Sequence, residues 1–131
     1  MILDELAKVL ETAGLGVFGT TIFVFRMPSE IPIGISLLDR TGNGMECDGY
    51  IDGLRRGNVQ LVVRHNNYTD GMTMARDAVT AFAGIDRSVL NNAVEIKQLR
   101  PKHEPIAFPI SVDGDVFEFS VNFDVIFSTL I

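Results

Sequence analysis

One stretch of the chain decides the fold, because the spacing of its apolar residues changes halfway: VQLVVRHNNYTDGMTMARDAVTAF, residues 59–82. Up to Arg64 the apolar residues alternate with polar ones, which is the period of a half-buried β-strand. After Asp70 they recur every three or four positions, which is the period of an amphipathic α-helix. The stretch therefore predicts a strand followed directly by a helix.

The polar cluster HNNY, residues 65–68, lies where the period changes. Asn accepts turn conformations and Thr69 is a suitable N-cap, so the cluster is typical of a turn before a capped helix. Alternatively, Cys47, His65 and Asn67 could form a Cys, His and Asn nucleophilic set, or His65 and Tyr68 could build a small-molecule site. No second titratable group stands beside His65 and Tyr68, and the acidic neighbours of Cys47 disfavour a thiolate. We therefore favour the turn.

The remaining elements follow from the same two periods. The helix after the cluster has a predicted buried stripe of Met72, Ala75, Ala78 or Val79, and Phe82, and it ends at Gly84. Another helix is predicted over residues 2–13, and strands are predicted over residues 21–25, 33–39, 59–64, 93–99 and 116–127, with a linker over 85–92. Prolines at 105 and 109 keep their segment irregular or at a sheet edge, and the Asp-Gly pair at 113–114 signals a hairpin. This order predicts one α+β domain, residues 1–131, with two helices on a mainly antiparallel sheet.

The strand over residues 116–127 has the clearest pattern, since every odd position from 117 to 127 is apolar. At about 3.3 Å per residue it would be roughly 40 Å long, which exceeds most strands in globular proteins. We expect part of it to project beyond its own sheet and to lend a free edge to a neighbouring copy.

Residues 40–57 contain five glycines and no apolar period, which predicts a flexible loop. The Met, aromatic and Arg side chains that interfaces favour are concentrated there, so the loop is the best candidate for contact with a partner. The side chains of this interface set are Arg40, Met45, Tyr50, Leu54, Arg55 and Arg56.

Composition excludes several classes of protein. The chain has 11 Lys and Arg against 17 Asp and Glu, a net charge of -6. This charge argues against sequence-independent binding of nucleic acid. Its one cysteine allows no internal disulfide. The longest apolar run near the N-terminus, residues 15–25, is too short to span a bilayer.

No metal or cofactor is expected. Two histidines and one cysteine at unrelated spacings fit no zinc pattern. The segment DRTGNGMECDGY, residues 39–50, resembles a calcium loop only at Asp39, Asn43 and Gly44, because Tyr50 stands where a bidentate Glu is required. No phosphate-binding glycine motif is present either.

The order and spacing of the elements resemble the minor capsid and tail terminator (tail completion) proteins of long-tailed phages. The resemblance rests on a helix ending in GLGVFG, the strand TIFVFRMP, the strand IGISLLD before a glycine-rich loop, and NVQLVVRHNNYTDGMTMARDAVTAF. The last segment matches best, since the family pattern is a strand ending in Arg, a turn with an aromatic, and a helix with small residues facing the sheet. Here those residues are Arg64, Tyr68, Ala75 and Ala78. The FPI segment, the Asp-Gly turn and the long last strand also fit, whereas LRPKHEPIAFPI departs from the pattern.

The resemblance implies a virion structural protein of the tail or neck, made in the host cytoplasm, and not an enzyme. Such proteins form a ring, usually a hexamer, that caps the head-proximal end of the tail tube, stops its growth and offers a joining surface to the head. The implied partners are further copies of the chain, the tail tube protein and the head-tail connector or stopper protein. DNA would pass without specific binding, and no membrane is involved.

Within that role, the interface set is expected to contact a neighbouring subunit or the tube. An acidic lumen would let DNA slide, because carboxylates repel phosphates. The candidate lumen acids are Asp48, Asp52, Glu118 and Asp124. The alternatives are another neck or head-tail joining protein, or a small intracellular hydrolase or ligand-binding domain that uses His65, Tyr68 and Cys47.

Overall fold

The computed structural model describes residues 2–41, 45–47, 49–50, 53–91, 93–110 and 115–129, and these form two helices and eight strands. The helices are α1 (Ile2–Thr12) and α2 (Tyr68–Ala83). The strands are β1 (Ile22–Val24), β2 (Gly34–Asp39), β3 (Glu46–Cys47), β4 (Leu54–His65), β5 (Val89–Leu90), β6 (Val94–Pro101), β7 (Ile106–Pro109) and β8 (Phe117–Thr129). The prediction of an α+β fold with two helices and a mainly antiparallel sheet is confirmed.

The antiparallel pair β4 and β8 forms the centre of the sheet. Every residue of β4 has a partner in β8, from Leu54 opposite Ser128 to His65 opposite Phe117. The other side of β8 is paired with β7 over its first part and with β6 over its last part. The predicted free edge of this long strand is therefore wrong, because β8 has neighbours on both sides.

On each side of the central pair, two shorter strands lie end to end along one long strand. The strand order is β1-β2-β4-β8-β6-β5, and among the described strands only β1 and β2 run parallel. β3 continues the line of β2 along β4, and β7 continues the line of β6 along β8. The two shorter strands on each side thus lie end to end and together cover most of the length of the adjacent central strand.

Both helices pack on one face of this sheet. The apolar positions of β8 that alternate along the strand are buried there, in contact with a core that includes Leu3, Leu6 and Leu10 of α1 and Ala75, Ala78 and Phe82 of α2. The Phe82 and Phe123 rings meet edge to face with centroids 5.2 Å apart. Burial of side chains of this size stabilises a fold by about 1.5–3 kcal/mol each.

The other face, which we call the open face, carries no helix in the described ranges. Across the β4–β8 pair it presents Arg64 opposite Glu118, Val62 opposite Ser120, Gln60 opposite Asn122, and Asn58 opposite Asp124. Gln60 Nε2 donates to Ser120 Oγ at 2.8 Å. The alternation of apolar and polar residues in the sequence thus corresponds to a covered and an uncovered face.

Three short stretches that were predicted as loop or linker form strand. β4 begins at Leu54 and β3 occupies Glu46–Cys47, so parts of the predicted loop over residues 40–57 are strand. β5 lies inside the predicted linker over residues 85–92. Glycine-rich and short segments have no period that could reveal these strands, and their pairing with long neighbours forms them. The Asp-Gly turn at 113–114 lies outside the described residues.

Between β6 and β7, a side chain continues the hydrogen-bond ladder with β8. Lys102 N donates to Asn122 O at 2.8 Å, and Asn122 N donates to His103 Nε2 at 3.3 Å. His103 Nδ1 lies 2.7 Å from Glu104 O, and because a carbonyl only accepts, we assign the ring proton to Nδ1. The His103 imidazole therefore takes the place of a backbone carbonyl in the ladder.

Candidate interaction surface

The structure separates the side chains of the enzymatic alternative. Cys47 lies in β3 opposite Arg55, near the beginning of β4, whereas His65 is the last residue of β4. The strand between positions 55 and 65 spans on the order of 30 Å. The thiol and the imidazole are therefore too far apart to act as a nucleophile and its base.

Residues 65–68 form a turn, as favoured from the sequence, and their polar groups serve the turn. Asn67, and not the predicted Thr69, is the N-cap of α2, and its side chain accepts from Asp70 N at 3.0 Å. Asn67 N donates to His65 Nδ1 at 3.0 Å. The Tyr68 ring packs against the rings of Phe117 and Phe119, with centroids 5.7 and 5.6 Å away. The turn is thus anchored to β8.

In the segment with a partial calcium-loop pattern, the side chain of the first acidic residue, Asp39, forms a hydrogen bond within a turn. Asp39 Oδ1 accepts from Thr41 N at 2.9 Å. Asn43 and Gly44 lie outside the described residues. Within the ranges that the structure covers, no group of three or more His, Cys, Asp or Glu side chains could hold a metal ion.

The predicted interface set is divided between two faces of the sheet. We call the described residues between 45 and 57 the β3–β4 arm. Met45 and Arg55 lie on the helix-covered face, where they help to line a cleft of about 240 Å³ beside the start of α1. Leu54 and Arg56 pair with Ser128 and Ile126 and belong to the open face. The set is therefore not one continuous patch.

Tyr50 stands apart from the other members of the interface set. It is fully exposed, and it lies in the connection between β3 and β4. A large aromatic side chain left in solvent at the end of a hairpin is typical of a contact residue, because aromatic side chains dominate the energetics of interfaces.

The beginning of the predicted flexible loop is tied to β4. Arg40 N donates to Asn58 O at 2.9 Å, and Arg40 Nε donates to Gln60 Oε1 at 2.6 Å. Asn58 N donates to Thr41 Oγ1 at 2.8 Å. Residues 40 and 41 therefore extend the attachment of β2 to β4 beyond the end of the strand.

The two described candidate lumen acids are in ion pairs. Glu118 Oε2 lies 3.2 Å from Arg64 Nη2, and both side chains are mostly buried. Asp124 Oδ1 lies 3.4 Å from Lys102 Nζ, and that pair is about half exposed. Asp48 and Asp52 lie outside the described residues. Neither Glu118 nor Asp124 thus presents an uncompensated negative charge.

Arg64 was expected only as the residue that ends a strand, and the structure shows a larger role. Its Nη1 donates to Pro28 O at 2.8 Å and to Ile31 O at 3.1 Å, while Nε and Nη2 reach Glu118. The Arg64 guanidinium therefore fastens the segment between β1 and β2 to the open face. The sequence signal was a basic residue directly after the apolar run Leu61–Val63.

Glu5 is an acid in the first turn of α1, and it is only 8% exposed. Asn91 Nδ2 donates to its Oε2 at 2.6 Å, and Lys8 Nζ lies 3.3 Å from its Oε1. The hydrogen bond from Asn91 lowers the pKa of Glu5, and Lys8 lowers it further, while burial acts in the opposite direction. Glu5 therefore ties α1 to the turn between β5 and β6, a contact that no local pattern reveals.

Within the described residues, the side chains singled out from the sequence serve packing, turns and the exposed surface. The family model for bacteriophage tail terminator proteins matches residues 9–129. The chain therefore belongs to the bacteriophage tail terminator family, as its resemblance predicted. Membership gives it a structural role in the tail or neck of the virion, together with other tail and head proteins.

A solved structure supports the fold along nearly the whole chain. A chain from a structure described as the virion of a native gene transfer agent particle is 15% identical, with a TM-score of 0.63. The match covers 96% of this chain and 93% of that chain. No match was found among curated protein sequences. At this identity the likeness concerns the fold.

In the described part of the chain, no helix is long and apolar enough to span a lipid bilayer.

Proposed function

We propose that the protein caps the head-proximal end of the phage tail tube, stops tube polymerisation and provides the surface that joins tail to head. The family match over residues 9–129 is the observation that carries this proposal. A tube grows because each ring repeats the same contact, and growth ends when a cap matches one face and presents a different one. The cap acts as a ring of identical copies, a hexamer in our proposal.

The β3–β4 arm is the best-placed element for contact with the tube protein or the head-tail connector. It combines the fully exposed Tyr50 with the exposed Arg56 and the partly exposed Leu54. Aromatic and Arg side chains supply much of the binding energy at protein interfaces, whereas neighbouring contacts mainly exclude water. In this proposal the two faces of the arm contact two different neighbours.

DNA passes through the ring without specific binding. The net charge of -6 favours this, because a negative lumen repels phosphates over roughly a Debye length of about 8–10 Å. Among the candidate lumen acids, Asp48 and Asp52 are preferred in the proposal. Arg64 and Lys102 offset the charges of Glu118 and Asp124, respectively.

Omission of the protein from an assembling phage tests the proposal. Electron microscopy should show tails of irregular or excessive length that do not join heads, and supplying the wild-type protein should restore both properties. The His65→Ala variant should restore them equally well, because the imidazole serves only a turn.

Two other outcomes would redirect the proposal. Tails of normal length that fail to attach would favour a head-tail joining protein that does not control tube length. Tails of normal length attached to heads would refute a role in termination and joining.

A further inference from the structure

A first exposed apolar patch lies at the β1 edge of the sheet. Val17 and Phe25 are 54% and 49% exposed, and Arg26 beside Phe25 is exposed as well. We call these three residues patch A. Patch A lies at the β1 end of the strand order, which is on the same side of β8 as β4 and β2.

The backbone of patch A is strained. Phe25 has a φ of 72°, and Arg26 N donates to Val24 O at 3.0 Å, which places Phe25 at the centre of a γ-turn with positive φ. Such a turn is rare for a bulky L-residue. Strain of this kind persists only where the surrounding structure enforces it, and it is concentrated at functional positions.

A second exposed apolar patch lies on β7 at the opposite side of the sheet. Ile106, Phe108 and Ile110 are 54%, 41% and 44% exposed. Ile106 and Phe108 pair with Ser120 and Glu118, which places them on the open face. Glu104, just before β7, is also exposed. We call these four residues patch B.

The strand register places the two patches at the same level. A single row of paired residues crosses five strands: Ile22, Ile35, Val63, Phe119 and Ala107. β1 and β7 are the ends of this row, and with strands about 4.8 Å apart they are separated by roughly 20 Å. A copy placed beside this one by rotation about an axis along the strands brings patch A against patch B.

The β1 edge is largely occupied by hydrogen bonds within the chain. Ile22 N donates to Val17 O, and the outward oxygens of Ile22 and Val24 accept from Gly19 N and Arg26 N. Three of the four outward backbone groups of Ile22 and Val24 are thus used within the chain. Strand pairing at this edge is therefore disfavoured, and side chains are the main contact groups of patch A.

The β7 edge is blocked by prolines. Ile110 N donates to Val116 O, so the alternation of an antiparallel pair turns the N–H groups of positions 106 and 108 inward and those of 105, 107 and 109 outward. Positions 105 and 109 are prolines and have no N–H. Such prolines prevent uncontrolled strand addition at an edge.

The charge of each patch determines which patch of a neighbouring copy it contacts. Arg26 is the charged residue of patch A, and Glu104 is the charged residue of patch B. Arg76 and Lys102 line the same cavity as Glu104, and Lys102 is paired with Asp124. A contact between two copies of patch A, or of patch B, would bring like charges together, whereas A against B brings opposite charges together. We propose that neighbouring copies of this chain meet head to tail, with patch A of one copy on patch B of the next. This inference rests on the proposed ring.

Cross-linking in assembled particles tests this contact. In a Cys47→Ser background, Val17→Cys and Ile106→Cys place one thiol in each patch of every copy. A short bis-maleimide should then join copies into a ladder that ends at the ring size. The matched control replaces Ile106→Cys by Val89→Cys, which is equally exposed on β5, and should give no ladder.

The outcomes separate this inference from the proposed function. Particles that carry the protein at the tail end but give no ladder, or a ladder equal to that of the control, overturn the contact and leave termination standing. Particles that assemble normal tails without the protein overturn the proposed function itself.

A charge exchange gives an independent readout. Arg26→Glu and Glu104→Arg should each lower ring formation several-fold, and the double variant should restore it, because every contact then regains one charge of each sign. Both side chains are exposed, so the melting temperature of each variant should equal that of the wild type. Failure of the double variant to recover, with folding intact, contradicts the proposed pairing.

Discussion

Gly71 determines how closely α2 approaches the sheet. It is buried in the first turns of the helix, and a Cβ at this position would collide with the Phe119 ring and with His65 Cβ. The sequence predicted that small residues face the sheet but named only the alanines farther along. A glycine within a helix gave no signal of its own, because its role depends on a ring that lies on β8.

Gly71→Ala should destabilise the protein although Ala is the better helix former. Overpacking costs about 1–3 kcal/mol, against a gain of about 1 kcal/mol in helix propensity. We expect a net loss of up to about 2 kcal/mol in the free energy of unfolding, measured with urea. Gly84→Ala is the control, because a Cβ there makes only ordinary contacts at negative φ, and it should cost little. Equal stability of Gly71→Ala and wild type would show that α2 can move away from β8.

Glu5 should make part of the stability dependent on pH. Its pKa is lowered in the folded state by Asn91 and then by Lys8, so its contribution is present above the ordinary value of 4.5 and is lost as pH falls through the lowered one. Glu5→Gln should therefore be less stable than wild type near neutral pH, and the difference should shrink in acid. Urea unfolding at several pH values measures it, with the exposed Glu30→Gln as control. A difference that does not change with pH would contradict this role.

At the scale of elements, the sequence predicted those helices and strands whose apolar residues follow a strong period. Both helices and the strands β1, β2 and β8 were placed correctly to within a few residues. The strand near 59–64 was also predicted, but without the first five residues of β4. The short strands β3 and β5 were missed because two residues cannot show a period. The free edge expected for β8 was wrong because strand length alone does not reveal that β6 and β7 line up along it.

The interaction surface was less accessible to sequence analysis than the fold. Tyr50 was selected by residue type, and its full exposure agrees with a contact role that stays a prediction. Met45 and Arg55 were selected in the same way but lie on the helix-covered face. Patch B falls in the segment LRPKHEPIAFPI, which departs from the family pattern, so the resemblance gave no indication of it.

His103 should be required for the junction of β6 and β7. His103→Ala would leave Asn122 N–H without its acceptor, and an unpaired donor of this kind costs about 1–3 kcal/mol. Hydrogen exchange should become faster at the Asn122 amide. His65→Ala is the comparison, since that imidazole accepts a hydrogen bond only in an exposed turn. Unchanged protection of Asn122 would mean that the ladder closes without the ring.

Arg64 should control the order of residues 26–33. Arg64→Lys keeps the charge but loses the planar fork that reaches Glu118 and two carbonyls at once. We expect a loss of about 1–3 kcal/mol in stability and faster hydrogen exchange in residues 26–33. The exposed Arg76→Lys on α2 provides the control. Protection that persists in Arg64→Lys would show that Met27 and Ile31 hold the segment by packing alone.

At the scale of the whole molecule, the proposed contacts fall on separate surfaces. The patches lie at opposite sides of the sheet, where we propose contacts within a ring, whereas the arm lies at the end of the β4–β8 pair. A subunit with these surfaces in separate places can bind its copies and a different protein at the same time.

Tyr50→Ser should therefore weaken attachment to the tail and leave the subunit folded. We expect less protein in purified tails, measured by immunoblot, with an unchanged melting temperature because the side chain is fully exposed. Val89→Ser removes a comparably exposed apolar side chain away from the arm and should leave incorporation unchanged. Normal incorporation of Tyr50→Ser would remove this residue from the proposed contact.

The central place of β8 also has a consequence for how the polypeptide matures. β8 is the last of the eight strands to leave the ribosome, and its partners in β4 precede it by more than fifty positions. Closing so long a segment is slow, so nascent chains expose the apolar side of β4 until translation has passed β8. A nonsense mutation before Phe117 should consequently yield a degraded product with no residual dominant effect on infection.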